Sequence, residues 1–187
     1  MSSFKDTTMH GLCTVSVILL LIAITTNSWS TKTLTIPGST NNTDVSIGLW
    51  KTCGEISGNM QGISGDAVVC THVPVDGWKT FPKNSLYAVR VLSILGVVLI
   101  FLSVICNMYR SGSHFCHLGM LLFGGICAIV ANIVWAAELL KVKLADSSPT
   151  ITFKPGYSFY LNLVGGIFAI ISAIYLHYTT MTPYLMM

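Results

Sequence analysis

Four long apolar stretches alternate with polar segments along this chain of 187 residues. Each stretch is about as long as the roughly 20 residues that a helix needs to cross the hydrocarbon core of a bilayer. The pattern therefore predicts an all-α transmembrane fold, a bundle of four membrane-spanning helices. The four predicted helices cover residues 8–28, 85–108, 115–140 and 157–178.

The first stretch has a second interpretation, because Lys5 precedes it as in a secretory signal peptide. Residues 25–30 offer no small-x-small cleavage site, which favours a retained span. We expect a single domain over residues 1–187 with both termini on one side of the membrane. The inner loop 109–114 and the tail 179–187 then share that side, and the loops 29–84 and 141–156 lie on the other.

The first long loop carries strand patterns. Residues 32–36 alternate polar and apolar side chains, residues 45–52 are strand-like, and residues 67–73 are rich in β-branched side chains. Turn-forming residues at 37–39 and 57–59 separate these segments. The pattern predicts a small antiparallel sheet at the membrane surface.

Cys53 and Cys70 flank the turn-rich residues 54–65 of this loop. A disulfide between them would join two neighbouring strands and reduce the entropy of the unfolded loop. A zinc site is the alternative, but it needs more thiol or imidazole ligands at short spacing, and only His72 lies nearby. The ligand count favours the disulfide.

Two kinds of signal disagree about the side of the membrane that holds the loops. Lysines near the span ends are more numerous on the loop side, which would place the loops in the cytosol. Asn41-Asn42-Thr43, however, is an acceptor triplet for glycosylation at Asn41, and a disulfide needs an oxidising compartment. Together with the resemblance described below, these signals outweigh the lysines, so we expect extracellular loops and cytosolic termini.

Composition supports the membrane assignment and excludes several functions. Hydrophobic residues make up 52% of the chain and charged residues 9%, against roughly 25% charged residues in a typical soluble domain. The net charge of +3 is spread without the basic cluster that nucleic-acid binding requires. Because the chain has no GxSxG, HExxH or phosphate-loop motif, we expect no enzyme activity, cofactor, metal or small-molecule substrate.

The polar loop after the first span contains a recognisable constellation. Trp29, Gly48-Leu49-Trp50, Cys53 and Cys70 match the W…GLW…C…C signature of the claudin superfamily. That superfamily includes claudins, peripheral myelin protein, epithelial membrane proteins, the lens fibre membrane intrinsic protein and calcium-channel gamma subunits. The resemblance implies a claudin-like four-helix bundle with an extracellular antiparallel sheet.

Further segments extend the resemblance over essentially the whole chain. Residues 46–53 and 156–161 resemble epithelial membrane proteins, and residues 88–92 with Arg90 resemble the start of the second span in claudins and the lens protein. The separation of the two loop cysteines is longer than is usual in claudins. The short tail also lacks the ending by which claudins engage PDZ domains. The longer separation predicts a remodelled hairpin, and the short tail favours the epithelial membrane protein, myelin and lens branch.

The function that the resemblance implies is non-enzymatic organisation of cell–cell or membrane–membrane contacts. The sheet would associate with copies or other claudin-like proteins in the same membrane or an apposed one, so we expect a multi-pass plasma-membrane protein at cell contacts. One alternative is an auxiliary subunit of gamma type that modulates an ion channel or receptor. Another is a paracellular barrier or pore.

Several apolar residues fall at expected loop tips, where they are candidates for a contact surface. The alternative is that they pack beneath the sheet. They are Ile56, Met60 and Ile63 in the first loop, and Ile151 and Phe153 in the second.

Other residues within or beside the spans have two interpretations each. Cys106 and Cys116 flank the inner loop and are either palmitoylation sites or small buried hydrophobes. Arg90 and Glu138 either pair or reach the membrane interface. Asn132 and Asn162 suit an interhelical hydrogen bond.

Trp29 and Trp50 are either interface aromatics or, as the resemblance implies, anchors between sheet and bundle. Small residues that permit close helix approach are Gly119, Gly124, Gly125, Gly165 and Gly166.

Overall fold

The computed structural model describes residues 2–35, 42–56, 67–72, 83–108, 114–145 and 151–185. Each of its long helices contains a segment that is long and apolar enough to cross a membrane. The expected four-helix transmembrane fold is therefore confirmed. The helices are α1 (Ser2–Thr25), α2 (Lys83–Met108), α3 (His114–Ala145) and α4 (Tyr157–Leu185).

Many large apolar side chains face outward from these helices, while small and polar side chains lie between them beside a few large ones such as Leu20 and Ile100. Phe123 is 63% exposed and Val91 is 60% exposed, whereas Ser16 is fully buried. The Ser16 hydroxyl donates a hydrogen bond of 2.7 Å to the carbonyl oxygen of Gly165, which joins α1 to α4. This distribution suits a lipid environment, where packing of small residues and interhelical hydrogen bonds hold helices together.

Glycines set the closest helix contacts. A Cβ at Gly124 would lie 3.0 Å from the carbonyl oxygen of Gly96 on α2, and one at Gly125 would lie 2.9 Å from that of Gly166 on α4. Gly165 packs against α1 in the same way. Gly119 differs, because a Cβ there would meet nothing within 4 Å in the part of the chain that the structure describes.

Five strands form one antiparallel sheet in the order β4-β3-β2-β1-β5. They are β1 (Ser30–Thr35), β2 (Asn42–Ile47), β3 (Lys51–Ile56), β4 (Ala67–His72) and β5 (Ile151–Pro155). The expected antiparallel sheet is confirmed. Because β1 follows α1, while α2 and α4 come after β4 and β5, the sheet lies at one end of the bundle, which we call the sheet end.

The sheet differs from the sequence-based expectation in two respects. The single strand predicted over residues 45–52 was wrong, because Gly48-Leu49-Trp50 interrupts it between β2 and β3. The sequence also gave no indication of β5, which comes from the loop between α3 and α4. It pairs with β1, with Ser30 opposite Pro155.

The helices also differ from their expected lengths. α1 stops at Thr25, before the expected residue 28, because the chain turns into β1. α3 continues to Ala145 and α4 to Leu185. With 32 residues, α3 is about 48 Å long at 1.5 Å per residue. It is therefore longer than the roughly 30 Å hydrocarbon core.

A buried apolar cluster connects the sheet to the bundle. Ile47 and Leu49 enter it from the sheet side and are 3% and 0% exposed. Burial of one such side chain contributes about 1.5–3 kcal/mol, so this cluster fixes the position of the sheet. Its members are Trp29, Ile47, Leu49, Leu86, Val89, Ala131, Trp135 and Leu139.

Candidate functional site: the junction between sheet and bundle

Two tryptophans cap the end of α1. The last carbonyl groups of a helix have no partner within the helix. The Trp29 Nε1 atom donates to the carbonyl oxygen of Ala23 at 2.8 Å, and the Trp50 Nε1 atom donates to that of Ile24 at 2.9 Å. These two residues of the recognised motif therefore satisfy backbone acceptors where the chain leaves the apolar span.

Trp29 is an anchor and not an interface aromatic. Its side chain is fully buried, and its ring meets the Trp135 ring edge-on with 5.4 Å between centroids. Its backbone nitrogen donates to the carbonyl oxygen of Ile47 at 2.9 Å, which connects the start of β1 to the end of β2. Bundle and sheet thus share this residue.

Gly48-Leu49-Trp50 forms a tight connection between β2 and β3. The Gly48 nitrogen donates to the carbonyl oxygen of Lys51 at 2.9 Å. A Cβ at Gly48 would lie 2.5 Å from the Cα of Asn27, so only glycine lets this turn reach the residues that follow α1. Leu49 can then enter the buried cluster and Trp50 can reach the end of α1.

Gly156 approaches the same α1–β1 connection from another direction. Its nitrogen donates to the carbonyl oxygen of Trp29 at 3.0 Å, and a Cβ there would overlap the carbonyl oxygen of Ser28. Ser158, at the start of α4, bonds through its nitrogen to the Ser28 carbonyl oxygen at 3.1 Å and through its hydroxyl to Thr26 at 2.7 Å. Gly48 from the first loop and Gly156 from the second therefore pack against residues 27–29 from two directions, an arrangement that we call the clamp.

Arg90 holds the Gly-Leu-Trp turn from α2. Its Nε atom donates to the carbonyl oxygen of Leu49 at 2.8 Å. Its Cζ atom lies 4.9 Å from the centroid of the Trp50 ring and 5.9 Å from that of Tyr87. A guanidinium within about 6 Å of an aromatic face is attracted to it. Arg90 thus combines a charge-assisted hydrogen bond with two cation–π contacts.

Glu138 takes a different partner from Arg90. Its side chain is 5% exposed, and its Oε1 atom accepts a hydrogen bond of 2.8 Å from the Ser85 hydroxyl. This bond joins α3 to the start of α2. The recorded hydrogen bonds of the two charged residues of the spans thus join different elements, Arg90 to the Gly-Leu-Trp turn and Glu138 to the start of α2.

The disulfide between Cys53 and Cys70 is confirmed, with a Cα–Cα distance of 4.1 Å. The two residues lie directly opposite each other on β3 and β4. Within the described ranges, no group of three or more His, Cys, Asp or Glu side chains could hold a metal ion. Because β4 pairs only with β3 among these strands, the disulfide is the covalent link between the edge strand and the sheet.

The two edges of the sheet differ in chemistry. On β4, Val68 is 59% exposed and Val69 is 51% exposed. Successive residues of a strand point to opposite faces, so both faces of β4 are open, whereas β2 and β3 bury Ile47 and Thr52 on one face. The β5 edge instead carries exposed Lys154 and Pro155, residue types that discourage edge pairing.

The loop-tip candidates fall in two groups. Met60, Ile63 and the glycosylation candidate Asn41 lie outside the described residues. The backbones of Ile56, Ile151 and Phe153 belong to β3 and β5, and their side chains also lie outside what the structure describes. Their roles in contacts stay predictions.

The cysteines beside the inner loop lie at the opposite end of the bundle. Cys106, near the end of α2, is half-buried, and Cys116, near the start of α3, is exposed. Acylation of either residue stays a prediction.

The fold and the junction agree with a comparison of the sequence with protein families. The model of the PMP-22/EMP/MP20/Claudin family matches residues 7–176. The chain belongs to this family. Its members are non-enzymatic membrane proteins, and the matched region includes every motif residue at the junction. No curated protein matches the chain. The closer resemblance to the epithelial membrane protein and lens branch stays a prediction.

The contacts of Arg90 with Leu49 and Trp50 predict an effect on stability that can be measured. Arg90→Met should destabilise the protein by about 1.5–3 kcal/mol, because a hydrogen bond to a charged donor is lost. Arg90→Lys should retain only part of the lost stability. A lysine ammonium lacks the planar guanidinium that can donate to the Leu49 carbonyl oxygen and stack on the Trp50 ring at the same time. Thermal unfolding in lipid nanodiscs, followed by tryptophan fluorescence, measures the stability of both variants.

Lys154→Met is the control, because removal of this exposed charge should change stability by less than about 0.5 kcal/mol. Equal midpoints for Arg90→Met and Lys154→Met would contradict the role of Arg90.

Proposed function

We propose that this protein organises contacts between membranes, or between neighbouring copies in one membrane, by self-association of its extracellular sheet. The observation that carries the proposal is the exposed β4 edge with Val68 and Val69. Family membership and four spans support a tetraspan membrane protein. The specific role in contacts, the plasma-membrane location, the cytosolic termini and glycosylation at Asn41 belong to this proposal.

The chemistry of β4 favours a second copy as its partner. An edge strand presents unpaired backbone donors and acceptors that can pair with another strand. β4 runs Ala67-Val68-Val69-Cys70-Thr71-His72 without a carboxylate, lysine or arginine. Two copies that pair in antiparallel register therefore place no Asp, Glu, Lys or Arg side chains of like charge opposite each other. Like charges in such positions would destabilise the pairing. Exposed valines add apolar area to the backbone hydrogen bonds.

Met60 and Ile63 lie in the sequence between β3 and β4. As apolar residues of the first loop, they belong to this proposal as contact candidates.

Mixing two cell populations tests the proposal. The protein is expressed with different fluorescent tags in separate non-adherent cells, and its enrichment at contacts between differently tagged cells is measured. Wild type should be enriched at these contacts. Val68→Lys should remove the enrichment without reducing surface delivery, because an exposed lysine leaves the core intact and places like charges on both edges.

Asp44→Lys is the control, since it places an exposed lysine on β2, opposite Thr33 and away from the β4 edge. It should keep the enrichment. Chemical cross-linking within a single population measures association in the same membrane for the same variants. If wild type reaches the surface, is evenly distributed and does not cross-link, self-association is refuted. The function of an auxiliary channel or receptor subunit would then be favoured.

A further inference from the structure

Two buried asparagines meet between α3 and α4. Asn132 is 2% exposed and Asn162 is fully buried. Both lie within segments that can span a membrane, Phe115–Leu139 and Tyr157–Thr180. The Asn162 Nδ2 atom donates to the carbonyl oxygen of Ala128 at 3.0 Å and to the Asn132 Oδ1 atom at 3.2 Å. The expected interhelical hydrogen bond is thus present.

The chemistry of the Ala128 carbonyl fixes the orientation of both amides. A carbonyl oxygen only accepts hydrogen bonds, so the nitrogen of the Asn162 amide must face it and not the oxygen. The second hydrogen of this nitrogen then requires an acceptor, so Asn132 must turn its oxygen toward it. Reversing either amide would bring two acceptors or two donors together. The assignment of oxygen and nitrogen, often ambiguous in asparagine, is determined here.

In this orientation, one amide donor and one amide acceptor have no partner within the pair. Asn132 Nδ2 and Asn162 Oδ1 are buried and have no hydrogen-bond partner among the described residues. Inside a bilayer no bulk water reaches such atoms, so they are costly unless they are satisfied internally. The reciprocal hydrogen bond, from Asn132 Nδ2 to Asn162 Oδ1, is not formed within the pair.

We propose that the Asn132–Asn162 pair binds an ordered water molecule between α3 and α4. The water oxygen accepts a hydrogen bond from Asn132 Nδ2, and one water O–H donates to Asn162 Oδ1. A water supplies both functions at once, and buried waters typically have two to four polar partners. The site extends the link between the helices from two hydrogen bonds to four.

The surroundings isolate this site from the rest of the bundle. One helical turn away, Ala128 is fully buried. Gly125, two turns from Asn132, and Gly166, one turn from Asn162, bring the backbones of α3 and α4 into close contact. The helices are therefore packed too closely there to admit a water, and the polar pair marks the place where the interface changes from glycine packing to hydrogen bonding.

Nuclear magnetic resonance of the full chain in lipid nanodiscs, with isotope-labelled asparagine, tests this site. The Asn132 side-chain N–H protons should give a cross-peak to water. In a rotating-frame experiment, the sign of this cross-peak should be the sign that direct dipolar contact gives and not the sign that proton exchange gives. The half-buried Asn27 is the control for exchange with bulk water. Asn132→Leu identifies the side-chain signals of Asn132, because these signals are absent from the variant. Their cross-peak to water should be lost as well.

Measurement on the wild-type protein keeps the test independent of whether the variant folds. Resolved and slowly exchanging Asn132 amide protons without a dipolar cross-peak to water would overturn the proposal. A cross-peak whose intensity rises with pH as exchange does would also overturn it. Neither result bears on self-association through the sheet, which the cell-mixing experiment decides.

Discussion

Gly156→Ala is expected to lower the thermal unfolding midpoint more than any other single-methyl change in the described residues. The added Cβ would overlap the carbonyl oxygen of Ser28. Overpacking usually costs about 1–3 kcal/mol. Because the obstacle here is backbone, we expect a loss above about 3 kcal/mol, which corresponds to a midpoint at least roughly 6 °C lower for a chain of this size. Gly48→Ala should act similarly through Asn27.

Gly119→Ala provides the matched control for both glycine variants. It makes the same chemical change in a helix, where a Cβ meets nothing within 4 Å among the described residues. Alanine is favoured over glycine in a helix by about 0.5–1 kcal/mol, so this variant should be as stable as wild type or slightly more stable. A Gly156→Ala protein that unfolds at the wild-type temperature would refute the clamp on residues 27–29.

Trp29→Ala should produce the other large effect, a loss of about 3–5 kcal/mol, as is usual when a buried large aromatic is truncated. It removes the contact with Trp135 and the cap on Ala23 together. Trp29→Phe separates these contributions, because it retains a ring but leaves the Ala23 carbonyl without its indole donor. We expect that variant to lose about 0.5–1.5 kcal/mol, the net contribution of one hydrogen bond, because the Thr26 hydroxyl still donates to the Ala23 carbonyl oxygen at 3.4 Å.

Phe123→Ala is the control for loss of an aromatic ring. Phe123 is 63% exposed on the outer surface of α3, where lipid replaces the lost contacts and helix packing is unchanged. Thermal unfolding in nanodiscs compares the three variants with wild type. Similar midpoints for Trp29→Ala and Phe123→Ala would show that Trp29 does not anchor the sheet.

The helices were predictable because length and apolar character are properties of each segment alone. An interhelical hydrogen bond was expected for Asn132 and for Asn162, because an amide within an apolar span requires a polar partner, but only the structure shows that the two bond to each other. The Gly-Leu-Trp turn was not predictable from its β-strand composition. Its shape depends on contacts of Gly48 with Asn27 and of Leu49 with Arg90, which are distant in sequence.

β5 shows a similar limit. Its five residues include a proline, and no local feature specifies that they should pair with β1. Gly156 was noted only within a segment resembling the start of a span. Proline and glycine before an aromatic-rich helix were the available signal, but only the structure reveals which backbone the glycine approaches. The difference between the β4 and β5 edges likewise requires knowledge of the strand order.

The pairing of β1 with β5 has a consequence for synthesis of the protein. Chains emerge and fold from the N-terminus, so β1 is made long before its partner. Ser30 and Pro155 are opposite each other in the sheet, yet three helices are translated before Pro155. Until then β1 has an unprotected edge, and the connection after α1 lacks the contacts of Gly156 and Ser158. A chain that ends before β5 would therefore leave the backbone of β1 without this partner, and residues 28–29 without the hydrogen bonds of Gly156 and Ser158.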